Sequence, residues 1–224
     1  MEKEWSSPYA VPVDRVTWPL PVRAFGQAVS VIFHPLFIPS YLTAYLLYID
    51  PYAFAEMGPQ LKFYKIAAVF FSTAFLPFFS VVLMKLLGFI KSIFLTSSRD
   101  RIIPYMASMI FYFNIWYVAR NLHDSRFLVA MLLAVFLSSI AGLMANIYYK
   151  ISMHGIAVGA TLVLFLWMSF SGPAFSGFWL SMAVLVTGLV CTARLIVSDH
   201  RPFDIYSGVI AGALCQLVAI AFAG

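Results

Sequence analysis

Cysteine and charge are the two features that this sequence has least of. Only two cysteines occur among its 224 residues, and Cys191 and Cys215 both lie inside apolar runs, which argues against a disulfide framework or a zinc site. Charged residues make up 10% of the chain, about half the share of a soluble domain. The net charge of +5 suits contact with anionic lipid headgroups, but no basic stretch is long enough to predict a nucleic-acid partner.

Hydrophobic residues, in contrast, make up 62% of the chain. A water-soluble fold this apolar could not cover its surface with polar groups, whereas a bilayer solvates an apolar surface. A spanning helix needs about 20 predominantly apolar residues. The sequence therefore predicts an integral membrane protein, an all-α polytopic bundle of about six to seven transmembrane spans. The candidate spans lie near residues 28–50, 64–90, 104–120, 126–148, 155–171, 176–197 and 205–223.

The residues before the first apolar run are predicted to form a separate segment. Residues 1–27 mix acids, prolines and aromatics, and they lack the basic-then-apolar pattern of a cleaved signal peptide. We expect them to lie at the membrane surface, where Trp5 and Trp18 either anchor the segment or pack against the protein. Residues 28–224 are predicted to form one transmembrane domain.

Polar residues gather in four short stretches between the predicted spans. Two spans separate residues 97–104 from residues 150–154, and two more separate these from residues 199–204. Because an even number of crossings returns the chain to the same membrane surface, these three clusters are predicted to assemble one site. Ionisable groups at a membrane are costly, so their default interpretation is functional. Residues 120–126 fall on the opposite surface, where we interpret them as an ordinary polar loop.

The cluster with the most specific spacing surrounds His200. Pro202 suits the first turn of a helix, so a span should begin here and place Asp204 in its first turn. From there the carboxylate can reach one ring nitrogen of His200 and leave the other free to attack an electrophile. Arg194, at the end of the preceding span, offers a forked cation that matches phosphate oxygens.

This pattern resembles the third signature of the type 2 phosphatidic acid phosphatase (PAP2) superfamily, which also includes vanadium-dependent haloperoxidases. The signature has an arginine, five residues, a histidine, a proline two further on, an aspartate at plus four and a glycine, here Gly208, at plus eight. The resemblance implies that His200 attacks phosphorus to form a phosphohistidine, that Asp204 supports it and that Arg194 binds the phosphate. It also implies a PAP2-like transmembrane bundle.

The second signature of this superfamily reads Pro-Ser-Gly-His, and residues 151–154 keep its serine and histidine but not its proline and glycine. The resemblance implies that His154 is the general acid that protonates the leaving alkoxide and that Ser152 binds phosphate. Lys150, just upstream, could supply further positive charge to the phosphate.

The first signature, a lysine followed after six residues by Arg-Pro, has its counterpart at Arg101 and Pro104. Two residues are inserted between this arginine and this proline, and no lysine lies at the expected distance. We predict Arg101 as the phosphate ligand of this cluster, with Arg99 as the alternative.

The remaining two histidines lie outside these signatures. His34 precedes Pro35 within the first predicted span, and we interpret it as a hydrogen-bonded structural histidine. His123 lies on the membrane surface opposite the predicted site.

Taken with these residues, the resemblance implies a membrane-embedded lipid phosphate phosphatase that works through a phosphohistidine, without a cofactor or metal, on a phosphomonoester or diphosphate of a lipid. Its partners would be that substrate and the membrane lipids. Three alternatives stay open. They are a non-catalytic lipid-phosphate binding or transport protein on the same fold, a magnesium-dependent transferase that would use Asp199 and Asp204, and a bis-histidine haem protein.

For location we expect the inner (cytoplasmic) membrane of a bacterium. Because two spans precede the first cluster, the N-terminus shares a membrane face with the predicted site. The lysines and arginines that flank the spans show no bias between the two sides, so both faces stay open for the site.

Overall fold

The computed structural model of this protein describes residues 18–50, 52–90, 98–171, 177–198 and 200–223. Over these ranges the chain is helical and contains no β-strand. The helices, in chain order, are α1 (Leu20–Ile32), α2 (Ile38–Tyr48), α3 (Pro59–Phe70), α4 (Leu76–Leu86), α5 (Ser98–Asn121), α6 (Arg126–Tyr148), α7 (Met153–Ser171), α8 (Gly177–Val197) and α9 (Pro202–Ala223).

Six helical runs in the described ranges are long and apolar enough to cross a membrane, which confirms the prediction of an integral membrane helix bundle. The first of these runs joins α3 and α4 into one span, and the other five correspond to α5 through α9. Their bounds are Pro59–Leu86, Ile102–Asn121, Arg126–Tyr148, Met153–Ser171, Gly177–Val197 and Pro202–Ala223.

The first predicted span, residues 28–50, is wrong as a single helix. Two short helices, α1 and α2, occupy this range, and the turn 33–37 separates them. Pro35 explains the break, because it has no N–H to continue the hydrogen bonds of α1 and it disfavours helical geometry at His34. Helix α1 also begins at Leu20, inside the segment that was predicted to precede the membrane domain.

The span that contains Pro77 stays continuous by changing its helical pitch. A proline ring clashes with the carbonyl four residues earlier, which here belongs to Thr73. The backbone accommodates the clash in a π-helical segment, Phe71–Phe75, between α3 and α4. The buried Thr73 hydroxyl donates to the Val69 carbonyl at 2.9 Å, so the side chain is paired within the widened turn.

Helices α7 and α9 pack with their backbones in direct contact. A Cβ at Gly155 would lie 2.6 Å from the Ile205 carbonyl oxygen, and a Cβ at Gly208 would lie 2.7 Å from that of Ser152. Membrane helices approach this closely where small residues recur at four-residue spacing, because no side chain separates the backbones. The glycine pairs are Gly155 and Gly159 in α7, and Gly208 and Gly212 in α9.

The other helices surround this pair. Helix α6, the most buried span, packs on α9, α5 and α7, while α8 packs on α7. Helix α1 lies against α8, where Gly26 leaves room for the Val197 side chain. This contact brings the turn 33–37 to the same end of the bundle as the first turn of α7.

At the opposite end of the bundle, charged side chains connect neighbouring parts of the structure to one another. Lys65 and Asp124 form an ion pair with side chains only 14% and 7% exposed, which ties α3 to the turn between α5 and α6. Arg126 donates to the Ser171 carbonyl at 2.8 Å and lies over the Trp167 ring. These contacts agree with the interpretation of residues 120–126 as an ordinary polar loop.

The glycine contact leads to a first prediction. We expect Gly159→Ala to lower the midpoint of thermal unfolding in detergent, because the added methyl would meet the backbone of Val209 and push the two helices apart. Overpacking of this kind costs about 1–3 kcal/mol. Gly188→Ala in α8 is the matched control, since a Cβ there meets nothing within 4 Å. Equal midpoints for the two variants would contradict a direct backbone contact between α7 and α9.

Candidate active site

The three polar clusters that were predicted to face one another meet at a cavity of about 510 Å³. Pro104 from the first cluster, His154 from the second and His200 from the third all line it, and Arg194 joins them from the end of α8. The prediction that an even number of crossings unites these clusters is therefore confirmed for these residues.

His200 lies in the connection between α8 and α9, and a backbone carbonyl holds its ring. Nδ1 is 3.0 Å from the Lys150 carbonyl oxygen. Since a carbonyl can only accept, Nδ1 must carry the proton and donate it. The other ring nitrogen, Nε2, is then unprotonated in the neutral ring and available as a nucleophile.

Asp204 does not make the direct bond to the His200 ring that its spacing predicts. Its Oδ2 lies 3.7 Å from Nδ1, which is too long for a hydrogen bond but close enough for charge interaction. The same oxygen accepts the Arg201 N–H at 2.9 Å and so caps the first turn of α9. The Lys150 carbonyl therefore orients the His200 ring, and the Asp204 carboxylate interacts with the ring only through its negative charge.

Burial and the neighbouring charges determine the protonation state of His200. Burial, reinforced by the positive charges of Arg194 and Lys150, lowers the pKa of His200 to about 4. The Asp204 carboxylate and the hydrogen bond to the Lys150 carbonyl act in the opposite direction without restoring the usual value. At neutral pH the ring is therefore uncharged, which is the form that a nucleophile requires.

His154 is the second residue of α7, and its ring is held by helix α1. Nε2 lies 2.9 Å from the Ser30 carbonyl oxygen, so Nε2 carries the proton and donates it. Nδ1 of the neutral ring is then the free nitrogen. The first turn of α7 lies at the cavity wall, where the positive end of a helix favours a bound anion.

Ser152 has a structural role that the sequence pattern did not indicate. The side chain is fully buried, and its Oγ accepts the Gly155 N–H at 3.4 Å, in the position of an N-cap for α7. Its own N–H donates to the Asp204 carbonyl at 3.0 Å, which joins the first turns of α7 and α9. Ser152 is not among the described residues that line the cavity, so its predicted phosphate contact would require this cap to open.

Arg194 lies on the cavity wall with its donors incompletely used. Its Nη1 reaches the Ser30 hydroxyl at 3.4 Å, a long contact, and its Nε is buried without a hydrogen-bond partner in the described part of the chain. Buried polar groups are rarely left this way, and an unpaired donor attached to a charged group is costly. An anion in the cavity would satisfy it.

His34 also lines this cavity, which its sequence position did not predict. It was interpreted as a hydrogen-bonded structural histidine, and its Nδ1 does accept the Leu36 N–H, but its ring also lies 5.4 Å from that of His154, centroid to centroid, at 83°. An ionisable residue beside a proline, inside an apolar run, was the signal that could have identified it. Hydroxyls of α5 and α6 continue the polar lining: Tyr105, Ser108, Tyr112 and Ser139.

The two arginines of the first cluster can be placed only by their backbone. Arg99 and Arg101 lie in the first turn of α5, at the end of that helix nearest the cavity. Their side chains lie outside the described part of the structure, so their phosphate contacts stay predictions. In the ranges that are described, no group of three or more His, Cys, Asp or Glu side chains could hold a metal ion.

No family model, curated protein or solved structure matches this chain. What the cavity can do is therefore judged from its own geometry: a cation whose Nε has no partner among the described residues, a helix N-terminus and three imidazoles line one space.

The electrostatics of His200 lead to a second prediction. Because the ring binds its second proton only near pH 4, an NMR titration of ¹⁵N-labelled protein should show His200 neutral from pH 7 down to about pH 5. Lys150→Met removes one of the charges that lower this pKa and keeps the backbone carbonyl, so the titration should move toward higher pH. Lys62→Met, at the opposite end of the bundle, should leave it unchanged. Titration of wild-type His200 near the ordinary pH of about 6.5 would contradict the described environment.

Proposed function

We propose that this protein is a membrane-embedded lipid phosphate phosphatase in which His200 attacks phosphorus and forms a phosphohistidine. The observation that carries the proposal is the Arg194 guanidinium, whose buried Nε has no hydrogen-bond partner among the described residues and which lines the same cavity as His154 and His200. A guanidinium fork matches phosphate oxygens, and positive charge at the transferring phosphoryl group stabilises its transition state.

The charge distribution of the cavity fits a phosphate better than a neutral ligand. Arg194 is close enough to influence the protonation of His200, and Lys150 adds a second positive charge near that ring. The N-terminal turn of α7 contributes the positive end of a helix dipole. The nearest described carboxylate, Asp204, is turned toward the N–H of Arg201 and away from a direct ring contact.

The apolar part of the cavity supports a lipid substrate. Part of the cavity wall is formed by proline and apolar side chains of the turn 33–37 and of α4. Phe78, which belongs to this wall, is 55% exposed on the outside of the bundle, where lipid would contact it. A phosphate bound at Arg194 could therefore remain attached to a hydrocarbon chain that lies between the cavity and the bilayer.

The reaction can be written with the groups present. A phosphomonoester that enters as its monoanion transfers its proton to Nδ1 of His154. Nε2 of His200 attacks phosphorus, the P–O bond to the lipid breaks, and His154 delivers the proton to the leaving oxygen. Water then attacks the phosphohistidine, the P–N bond breaks, and His154 takes the proton from water and returns it to the released phosphate.

The resemblance of residues 194–208 to the phosphatase signature supports the same assignment of roles, and with it a PAP2-like arrangement of the spans. A non-catalytic lipid-phosphate binding or transport protein could use the same cavity. Turnover is what separates the two possibilities.

A third prediction tests turnover. In detergent with EDTA present, the wild type should release inorganic phosphate from at least one member of a panel of lipid phosphates. His200→Ala should lower release to background, because it removes the ring nitrogen that is proposed to attack phosphorus. His123→Ala, which changes a histidine at the opposite end of the bundle, is the matched control and should keep full activity.

Trapping the intermediate makes the same test specific. Brief incubation with a ³²P-labelled substrate should label the wild type and the His123→Ala variant with an acid-labile, base-stable phosphate, and His200→Ala should stay unlabelled. Binding of lipid phosphate without release or labelling would reject the phosphatase and favour the binding or transport protein.

A further inference from the structure

Three imidazoles line the cavity, whereas the proposed phosphatase mechanism uses two. His34 enters from the turn between α1 and α2, His154 from the first turn of α7 and His200 from the connection before α9. One backbone group holds each ring. Two of these groups are carbonyls, which accept a hydrogen bond, and the third is an N–H, which donates one.

The backbone partners assign a different tautomer to His34 than to the other two rings. Carbonyl oxygens face Nδ1 of His200 and Nε2 of His154, so both rings donate there and present an unprotonated nitrogen elsewhere. At His34 the partner is the Leu36 N–H, which donates to Nδ1 at 3.3 Å. Since Nδ1 accepts, the proton of neutral His34 must be on Nε2.

The neutral form is the one that the surroundings of His34 favour. The residue lies outside the six candidate spans, in a partly buried turn. Burial, with a smaller contribution from the Arg194 charge, lowers the pKa of His34. At pH 7 the ring is therefore a hydrogen-bond donor through Nε2 and carries no charge.

The turn holds this donor in a fixed position. Pro35 restricts the backbone on one side, and the Phe37 N–H donates to the His34 carbonyl at 2.9 Å. The ring also packs edge-on against His154. A donor fixed before the ligand binds needs little reorganisation when charge arrives.

We propose that His34 is a third phosphate-binding residue, which donates its Nε2–H to a phosphate oxygen in the cavity. This inference rests on the proposed function, because it places a phosphate beside Arg194. In this arrangement the three imidazoles have different roles, because His200 and His154 present unprotonated nitrogens and His34 presents an N–H.

The test measures binding of inorganic phosphate to the full-length protein in detergent by isothermal titration calorimetry. His34→Phe keeps a planar ring but removes the donor, and we expect its Kd to rise about ten- to a hundredfold, the range for one hydrogen bond to a charged group. His34→Gln places an amide N–H near the position of Nε2, and it should bind within a fewfold of the wild type. Thermal unfolding midpoints of both variants check that each is folded.

Several outcomes would overturn the role of His34. These are wild-type affinity in His34→Phe, equal weakening in His34→Phe and His34→Gln, and no phosphate binding by the wild type. If His34→Phe does not fold, NMR of the ¹⁵N-histidine-labelled wild type decides instead. The His34 ring should show its proton on Nε2, and that N–H signal should shift when phosphate is added, whereas a proton on Nδ1 or an unmoved signal would reject the proposal.

The same data separate this inference from the proposed function. Phosphate binding that depends on the His34 donor, in a protein that never releases phosphate from a lipid, would keep the role of His34 and reject the phosphatase. Phosphate release by the wild type that is equally fast in His34→Phe, with unchanged phosphate affinity, would keep the phosphatase and reject the role of His34.

Discussion

The arrangement of this protein depends on the backbone contact between α7 and α9. Two glycines in each helix remove the side chains that would separate them, so the carbonyl of one helix lies where a Cβ of the other would be. Because the contact reaches the first turns of both helices, the Ser152 N–H can donate to the Asp204 carbonyl at 3.0 Å. With these turns side by side, the Lys150 carbonyl lies at hydrogen-bond distance from the His200 ring. A small change in helix separation would remove that bond and with it the orientation of the proposed nucleophile.

The same end of the bundle concentrates groups that are costly to bury. A guanidinium with an unpartnered Nε, three imidazoles and a carboxylate are placed among apolar helices, while at the opposite end Lys65 and Asp124 pair with each other. The two ends of the bundle therefore differ in how their charged groups are paired. At the far end the Lys65 and Asp124 charges neutralise each other, whereas the Nε of Arg194 has no acceptor in the described part of the chain. An anionic ligand accounts for this difference, since its binding would supply the missing acceptor.

Much of the fold followed from hydrophobic run lengths, because the cost of unpaired backbone groups in a bilayer leaves few alternatives to spanning helices. The count of crossings also predicted that Pro104, His154 and His200 share one end. The break at Pro35 was not predicted, because a membrane helix often continues through a proline, as at Pro77, and local sequence does not distinguish the two cases.

The hydrogen-bond partners of the histidine rings could not be predicted either, since the Ser30 carbonyl that holds His154 is 124 residues away in the chain. The glycine spacing in α7 and α9 was visible in the sequence and could have predicted their contact.

The most direct test of His200 as the nucleophile is a crystal structure of the full-length protein with orthovanadate, which mimics the five-coordinate phosphorus of the transition state. We expect vanadium bonded to Nε2 of His200, with the Arg194 guanidinium donating to its oxygens and Nδ1 of His200 still donating to the Lys150 carbonyl. Vanadate bound elsewhere, or a His200 ring turned so that Nε2 faces the Lys150 carbonyl, would contradict the assignment of His200 as the nucleophile.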